Sequence, residues 1–578
     1  MTGTRYLVVA GATDDFQAIV RRLIVGNGVQ IVRDRPGLIA WSSAGAPLLQ
    51  PDPGITIFGP LFQRGRGDRL AEITPDQSRA IAGSAGQQLI DRYWGPYVAI
   101  LDAGKVTAIR APFGDLPCLF APIERGIALA SDLALLCRLP GFNATIDWNG
   151  VALHLVAADV RGGATCLDRV SELRGGNRLI VNDNRCHVET LWSPWPFVTE
   201  AKQFDDTDAS NRLRGAVRHC VEARASEAVA SLLLVSGGLD SSIVAASLAD
   251  SGRPAQCLTI ATHDPSGDER PFARALCYHL GLTLHERSHD WRQVDLRLSL
   301  SRHQPRPTSR SFEQDAERIS LEVALATGAG AVVDGGGGDN VFCALQSVAP
   351  AADCLLGGRP DRFWPIARTI AQLADTNLGK VAWRAWRRSR RIDRRYRWPV
   401  DHRYLGVEAI RLAEDAATHP WLNAPQDILP GKAAHVALLI PAQALVEDRS
   451  PVSAFKSVSP LVSQPVVETC LMIPSWYWYA RGRNRAAARL AFAPLLPPRI
   501  AWRGSKGTPD SFIIELFEHH RALVRTLLLD GLLAERGLID RAALARAVDD
   551  PRPVHGHEFN RIMQLVDVEV WARAWAGP

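Results

Sequence analysis

Ser236-Gly237-Gly238-Leu239-Asp240-Ser241-Ser242 places two glycines, a carboxylate and three hydroxyls directly after the apolar run Leu232–Val235. Glycines allow backbone angles that a Cβ forbids, so successive N–H groups can converge on one anion. Ile243–Ala249 reads as a helix whose N-terminus faces that anion. The loop lacks the lysine of a GxxxxGK[ST] phosphate loop and carries Asp240 instead, which suits Mg²⁺ better than it suits neutralising a terminal phosphate. That composition points away from kinases. In a second stretch, Ala331-Val332-Val333 runs into Asp334, then Gly335, Gly336, Gly337 and Gly338, and then Asp339. Ordering four consecutive glycines is entropically costly, so the backbone there is expected to approach something closely.

The elements that position these loops are legible around them. Leu232–Val235 and Ala331–Val333 read as strands buried on both faces of a parallel sheet. Gln256–Ala261, with Thr259, reads as a further buried strand one crossover helix away. Asp268–Leu282 contains a helix ending at a glycine. Alternating units of this kind give a doubly wound α/β sheet, which binds ligands beyond its carboxyl edge. Asp208–Ala228 is a helix candidate. Ser193–Asp208, with Pro194 and Pro196, reads as a linker between a domain of residues 1–197 and one of residues 198–578. The first domain has short strand-like runs at Tyr6–Ala10, Thr56–Phe58, Tyr97–Leu101, Val106–Ile109, Ile127–Ala130 and Arg178–Val181, which makes it β-rich.

With 578 residues, 47% hydrophobic and 22% charged, the chain has ordinary globular composition, and its net charge of +5 does not by itself imply nucleic acid. The ten cysteines include no CxxC pair, which favours reduced thiols over disulfides or structural zinc. No apolar run approaches the ~20 residues of a membrane helix, and Asp14 and Asp15 interrupt any signal-peptide core. The expectation is a cytoplasmic protein without membrane or nucleic-acid partners. Lys380–Arg397 is the conspicuous basic run, interleaved with Trp383, Trp386 and Tyr396. A solvated helix face accounts for it, although basic residues among aromatics can also bind acidic peptides or nucleic acid. His555 and His557 are read as surface histidines.

The SGGLDSS loop resembles the pyrophosphate loop of ATP pyrophosphatases, and the order of motifs resembles the asparagine synthetase superfamily. Arg92–Asp102, Ile109–Phe120, Ile127–Leu133 and Arg174–Val181 resemble that family's N-terminal-nucleophile (Ntn) glutaminase domain. The glutaminase uses a cysteine after the initiator methionine, but here Thr2 occupies that position and the nearest cysteine is Cys118. The resemblance therefore implies a degenerate glutaminase-like domain, with Thr2 as the rival nucleophile. In the second domain it implies ATP and pyrophosphate binding by Leu234, Ser236, Gly237, Gly238, Asp240, Ser241, Ser242, Thr259 and Gly335–Gly338. It also implies Mg²⁺ held by Asp240 and Asp339, and a catalytic cation from Arg483, Arg485 or Lys506. Gly336 stands where smaller-substrate members carry a long side chain, which implies room for a bulkier substrate. The missing thiol, the GGGGDN loop and the Ser-Lys-Gly segment look most like lasso-peptide cyclases, which adenylate an Asp or Glu side chain of a precursor peptide and close a macrolactam. That likeness implies a precursor peptide and a leader peptidase as partners. β-Lactam synthetase, an ammonia-dependent asparagine synthetase and a non-catalytic scaffold remain alternatives.

Overall fold

The computed structural model describes residues 3–24, 29–52, 54–124, 126–182, 185–199, 206–391, 393, 395–413, 418–449, 455–504, 507–552, 556 and 558–577. Thr2, Lys506, His555 and His557 lie outside these residues.

The β-rich part is built from two six-stranded antiparallel sheets. In the first, Tyr6–Ala10 lies between Ile127–Ala130 and Leu38–Ser43; in the second, Val98–Asp102 lies between Ile55–Phe58 and Val106–Arg110. Alternation along the strands explains their packing, because successive side chains leave a strand on opposite faces. Tyr6, Val8 and Ala10 join Phe58, Val98 and Ile100 in one core between the sheets, where Tyr6 stacks on Phe58 with ring centroids 4.7 Å apart. Leu7 and Val9 face the opposite way, into the larger core shared with helix residues Phe16 and Val20. A strand covered on both faces is apolar throughout, as YLVVA is.

Helix Asp206–Ala225 leads into a five-stranded, wholly parallel sheet. Its order is Leu284–Ser288, Ala255–Ala261, Ser231–Leu234, Ala331–Val333, Lys456–Val458. From Ser231–Leu234 the chain adds strands first on one side and then on the other, so the order reverses between this strand and Ala331–Val333. That reversal opens a crevice at their carboxyl ends, the ligand-binding place of open α/β sheets. The expected linker is not wholly irregular, since Trp195–Thr199 is a short helix with Val198 buried. No helix among the described residues is long and apolar enough to cross a membrane.

Buried ion pairs join the β-sandwich to the segment around the parallel sheet. Arg110 Nη1 lies 2.9 Å from Glu172 Oε1 and 3.4 Å from Glu447 Oε1, and Arg306 pairs with the second oxygen of Glu172. Burial pushes the Glu172 carboxyl up, but Arg306 and Arg110 outweigh it and hold the group at about 2. Because the folded value lies below the ordinary 4.5, the stabilisation is fully present above pH 4.5 and is lost as pH falls from there toward 2. Glu172→Ala leaves two buried guanidinium groups with reduced compensation, and thermal unfolding should register a loss of about 3–5 kcal/mol. A loss under about 1 kcal/mol, the range of an exposed pair, would show that the cluster does not tie the two parts together.

Candidate active site

Gly237 and Gly238 turn the chain from the Ser231–Leu234 strand into helix Leu239–Ser251. Gly237 has φ +64°, and a Cβ there would fall 2.3 Å from Phe272 Cβ, so both conformation and space require glycine. Gly238 caps the helix without a side-chain hydrogen bond, leaving the first-turn N–H groups to an anion. Ser236 shapes the turn: its hydroxyl accepts from Gly238 N at 3.3 Å, and its N–H donates to Ser241 Oγ at 3.3 Å.

The second loop packs directly on the first. A Cβ on Gly335 would lie 2.5 Å from Ser241 N, and one on Gly338 would lie 2.6 Å from Asp240 Cβ. These close approaches account for two of the four consecutive glycines. Gly335→Ala should therefore separate the loops, and because misplacement of reacting groups by about 1 Å can cost 10²-fold, ATP-dependent turnover should fall by roughly that factor. Unchanged turnover would mean that the loops need not touch.

Gly336 behaves otherwise than its sequence suggests. Its backbone borders the crevice, yet a Cβ would lie 2.8 Å from Asp334 Oδ1 and 2.9 Å from both Leu445 Cδ2 and Ser459 Oγ. The expected room for a bulky substrate is filled on that side by Asp334, Leu445 and Ser459. Asp334 is held there by Arg449 Nη2 at 2.6 Å, by the Ser459 hydroxyl at 2.5 Å and by Gly336 N at 2.8 Å. Burial raises its carboxyl and Arg449 more than offsets that, leaving it below the usual carboxylate range.

Between the loops lies a crevice of about 350 Å³. Of the residues expected from sequence, Leu234, Ser236, Gly238, Asp240, Ser241, Thr259, Gly335, Gly336 and Arg485 border it. Gly237, Gly337, Gly338 and Ser242 do not border it; they shape the loops from behind, and the buried Ser242 hydroxyl has no protein partner. Arg485 sits at the centre of the charge pattern. Its Nη1 lies 2.8 Å from Asp240 Oδ2 and 2.5 Å from Asp339 Oδ1. It adopts φ +54°, a conformation sparsely populated by side-chain-bearing residues and maintained only where surroundings enforce it. Its Nε is buried without a protein partner, a donor left over for an anion. Arg483 turns away from the crevice, donating to Trp502 O at 3.1 Å.

Sequence reasoning missed Arg489, Arg503 and Glu269, which also border the crevice. Arg503 lies over the Phe272 ring at 3.6 Å and pairs with Glu269 Oε1 at 2.9 Å. Its Nη1 donates to Gly237 O at 3.2 Å, bracing the first loop from behind. Burial lowers Arg489 to about 10, with Arg485 and Arg483 adding repulsion, so added negative charge in the crevice would be welcome there.

Two carboxylates converge on one guanidinium nitrogen, which marks a point where positive charge is satisfied by both. That donor set fits magnesium, which takes one or two protein carboxylates and completes its shell with phosphate oxygens and water. No group of three or more potential metal ligands occurs among the described residues.

A parallel sheet with paired glycine loops, a helix N-terminus and two carboxylates at its switch point defines a phosphate-binding α/β domain. The chain belongs to the asparagine synthase family, whose model matches residues 212–573. Members of that family are ATP-dependent ligases that form amide bonds. No curated protein matches the sequence. Among solved structures, the allosteric regulatory enzyme of purine biosynthesis is 10% identical, with 50% of this chain and 74% of that chain covered and a TM-score of 0.20. Glutamine phosphoribosylpyrophosphate amidotransferase from B. subtilis, complexed with ADP and GMP, is 11% identical, with 50% and 75% covered and a TM-score of 0.19. Scores that low have no bearing on the fold.

Proposed function

We propose that the chain is an AMP-forming carbon–nitrogen ligase of the lasso-peptide cyclase kind, acting on an Asp or Glu side chain of a precursor peptide and on that peptide's N-terminal amine. In the first step a carboxylate oxygen attacks the α-phosphorus of ATP and the bond to pyrophosphate breaks. In the second, the amine nitrogen attacks the acyl carbon, the bond to AMP breaks, and the nitrogen gives up a proton. The helix N-terminus and the glycine-loop N–H groups receive phosphate oxygens, Arg485 and Arg489 offset the charge leaving with pyrophosphate, and Arg503 keeps the first loop in place. Asp240 and Asp339 would hold a magnesium ion, which screens phosphate charge when bound.

The observation that carries the peptide reading is a second, larger cavity of about 770 Å³ that shares Leu234 with the nucleotide crevice. It opens at the domain boundary, bordered by Thr4, Pro96 and Asp115 on one side and by Val332, Asp334 and Lys456 on the other. Its size is that of a site for a sizeable organic ligand, far beyond the need of ammonia. Glu313 and Glu317 face it one helical turn apart, a suitable reception for an ammonium group. Burial and then Glu313 push the Glu317 carboxyl up to about 7, within reach of accepting a proton from an α-amine of pKa about 7.7–8.0. The β-sandwich is then a retained glutaminase-like scaffold walling this cavity. Cys118 is no nucleophile in it, being buried between the sheets with its thiol raised by burial to about 11.

The test is to supply ATP, Mg²⁺ and a set of short peptides that carry an Asp or Glu within one small ring's reach of a free N-terminal amine, and to follow pyrophosphate and peptide mass. The expected result is pyrophosphate release coupled to loss of one water from the peptide. Pyrophosphate release with free aspartate and ammonia, and none with the peptide, would favour an asparagine synthetase; no release with any acceptor would favour a scaffold.

A further inference from the structure

Helix Leu378–Ser389 carries Lys380, Arg384, Arg387 and Arg388 with Trp383 and Trp386, and Arg390 and Arg391 follow its end. Val381 and Ala385 are its buried residues, seated against helices Ala349–Leu356 and Pro360–Leu373. The rings face outward: Trp383 is 53% exposed, Trp386 48%, and Trp364 on the neighbouring helix 59%. Neither Asp nor Glu occurs anywhere from Thr376 to Arg391. Large exposed rings among arginines match the composition of protein-recognition surfaces rather than of an idle solvated face.

The arrangement of the arginines narrows the partner. Arg387 lies over the Trp383 ring, 4.6 Å from its centroid, and Arg390 lies over Trp386 at 5.0 Å. A stacked guanidinium keeps its planar fork ordered and presents it to a carboxylate for paired hydrogen bonds. A guanidinium already takes one face of each ring, which leaves only the other to stack on a nucleic-acid base. The aliphatic residues of the helix are turned inward or half-buried, so its outward side lacks the leucine-type side chains with which interfacial helices enter lipid.

We propose that this face docks an acidic segment of a partner polypeptide, whose carboxylates, spaced by about 4.5 Å, the rise of three helical residues, engage Arg384, Arg387 and Arg390. None of these residues borders the nucleotide crevice, and the site does not depend on the peptide-cyclising reading.

The experiment titrates the full chain with a labelled oligoglutamate peptide, an oligo-dT strand and phosphatidylserine vesicles, following anisotropy and tryptophan emission. The comparison variants are Arg387→Glu/Arg390→Glu, which reverses charge, and Arg384→Lys/Arg387→Lys/Arg390→Lys, which keeps charge but removes fork and stack. Far-ultraviolet circular dichroism and thermal unfolding confirm that each folds. Expected are salt-sensitive peptide binding, its abolition by charge reversal, and an approximately tenfold weakening in the lysine variant from loss of the stacked forks. Absence of peptide binding at low salt would overturn the proposal. So would equal binding by the lysine variant, or tighter binding of oligo-dT or vesicles than of the peptide.

Discussion

Asp240→Asn should lower ATP-dependent pyrophosphate release by about 10³-fold or more, several kcal/mol of barrier, while leaving the chain folded. The carboxylate does two things: it faces the point shared with Asp339, and it closes on Arg485 through both oxygens at 3.0 and 2.8 Å. Asparagine keeps the shape and the first-turn position but removes the charge. Asp339→Asn should act in the same direction. The double variant should be little worse than either single one, because one ion is lost in each case. Independent, multiplying losses would assign the two carboxylates to separate tasks.

Arg485→Gln is expected to cost about 10²–10³-fold in turnover, the scale of removing one preorganised charge-stabilising group. Its loss also leaves Asp240 and Asp339 facing each other without the nitrogen that lies 2.8 and 2.5 Å from them. Mg²⁺ should then be needed at higher concentration for full nucleotide binding if the arginine preorganises the pair, and at lower concentration if it competes for the same oxygens. Turnover isolates its catalytic part. Arg485→Lys should recover part of the rate through charge, and Arg483→Gln should leave the rate near wild type because Arg483 faces the Trp502 carbonyl. If Arg483→Gln were the more damaging change, the catalytic cation would be misassigned.

What the sequence made legible follows from local chemistry. The two glycine loops, their strands and the helix at Leu239 were readable because an unbroken apolar run, glycine pairs and a following Asp are all short-range signals. The Ser231–Leu234 and Ala255–Ala261 strands stand within one residue of the expected ends. Arg489, Arg503 and Glu269 were not readable, since each reaches the crevice through packing of segments more than 200 residues apart along the chain for Glu269 and Arg503, as their 2.9 Å ion pair shows. A signal was present in the Arg503-Gly504-Ser505-Lys506 run, which offers an arginine as well as a lysine next to the glycine. Gly336 was misread for a different reason: a missing side chain in sequence says nothing about which way its Cβ vector points. The large boundary cavity was equally invisible, because its walls come from segments far apart in sequence, from Thr4 and Pro96 to helix Glu313–Thr327 and strand Lys456–Val458.

In the proposed reaction a peptide carboxylate is activated as an acyl adenylate in the crevice between the two glycine loops. The direct measurement uses precursor peptide whose acidic side chain carries heavy oxygen, with the phosphorus products analysed by mass after turnover. Attack by that carboxylate on the α-phosphorus requires one labelled oxygen to leave in AMP when the amide forms. Label in inorganic phosphate, with ADP as the nucleotide product, would contradict the claim by showing activation at the γ-phosphorus instead.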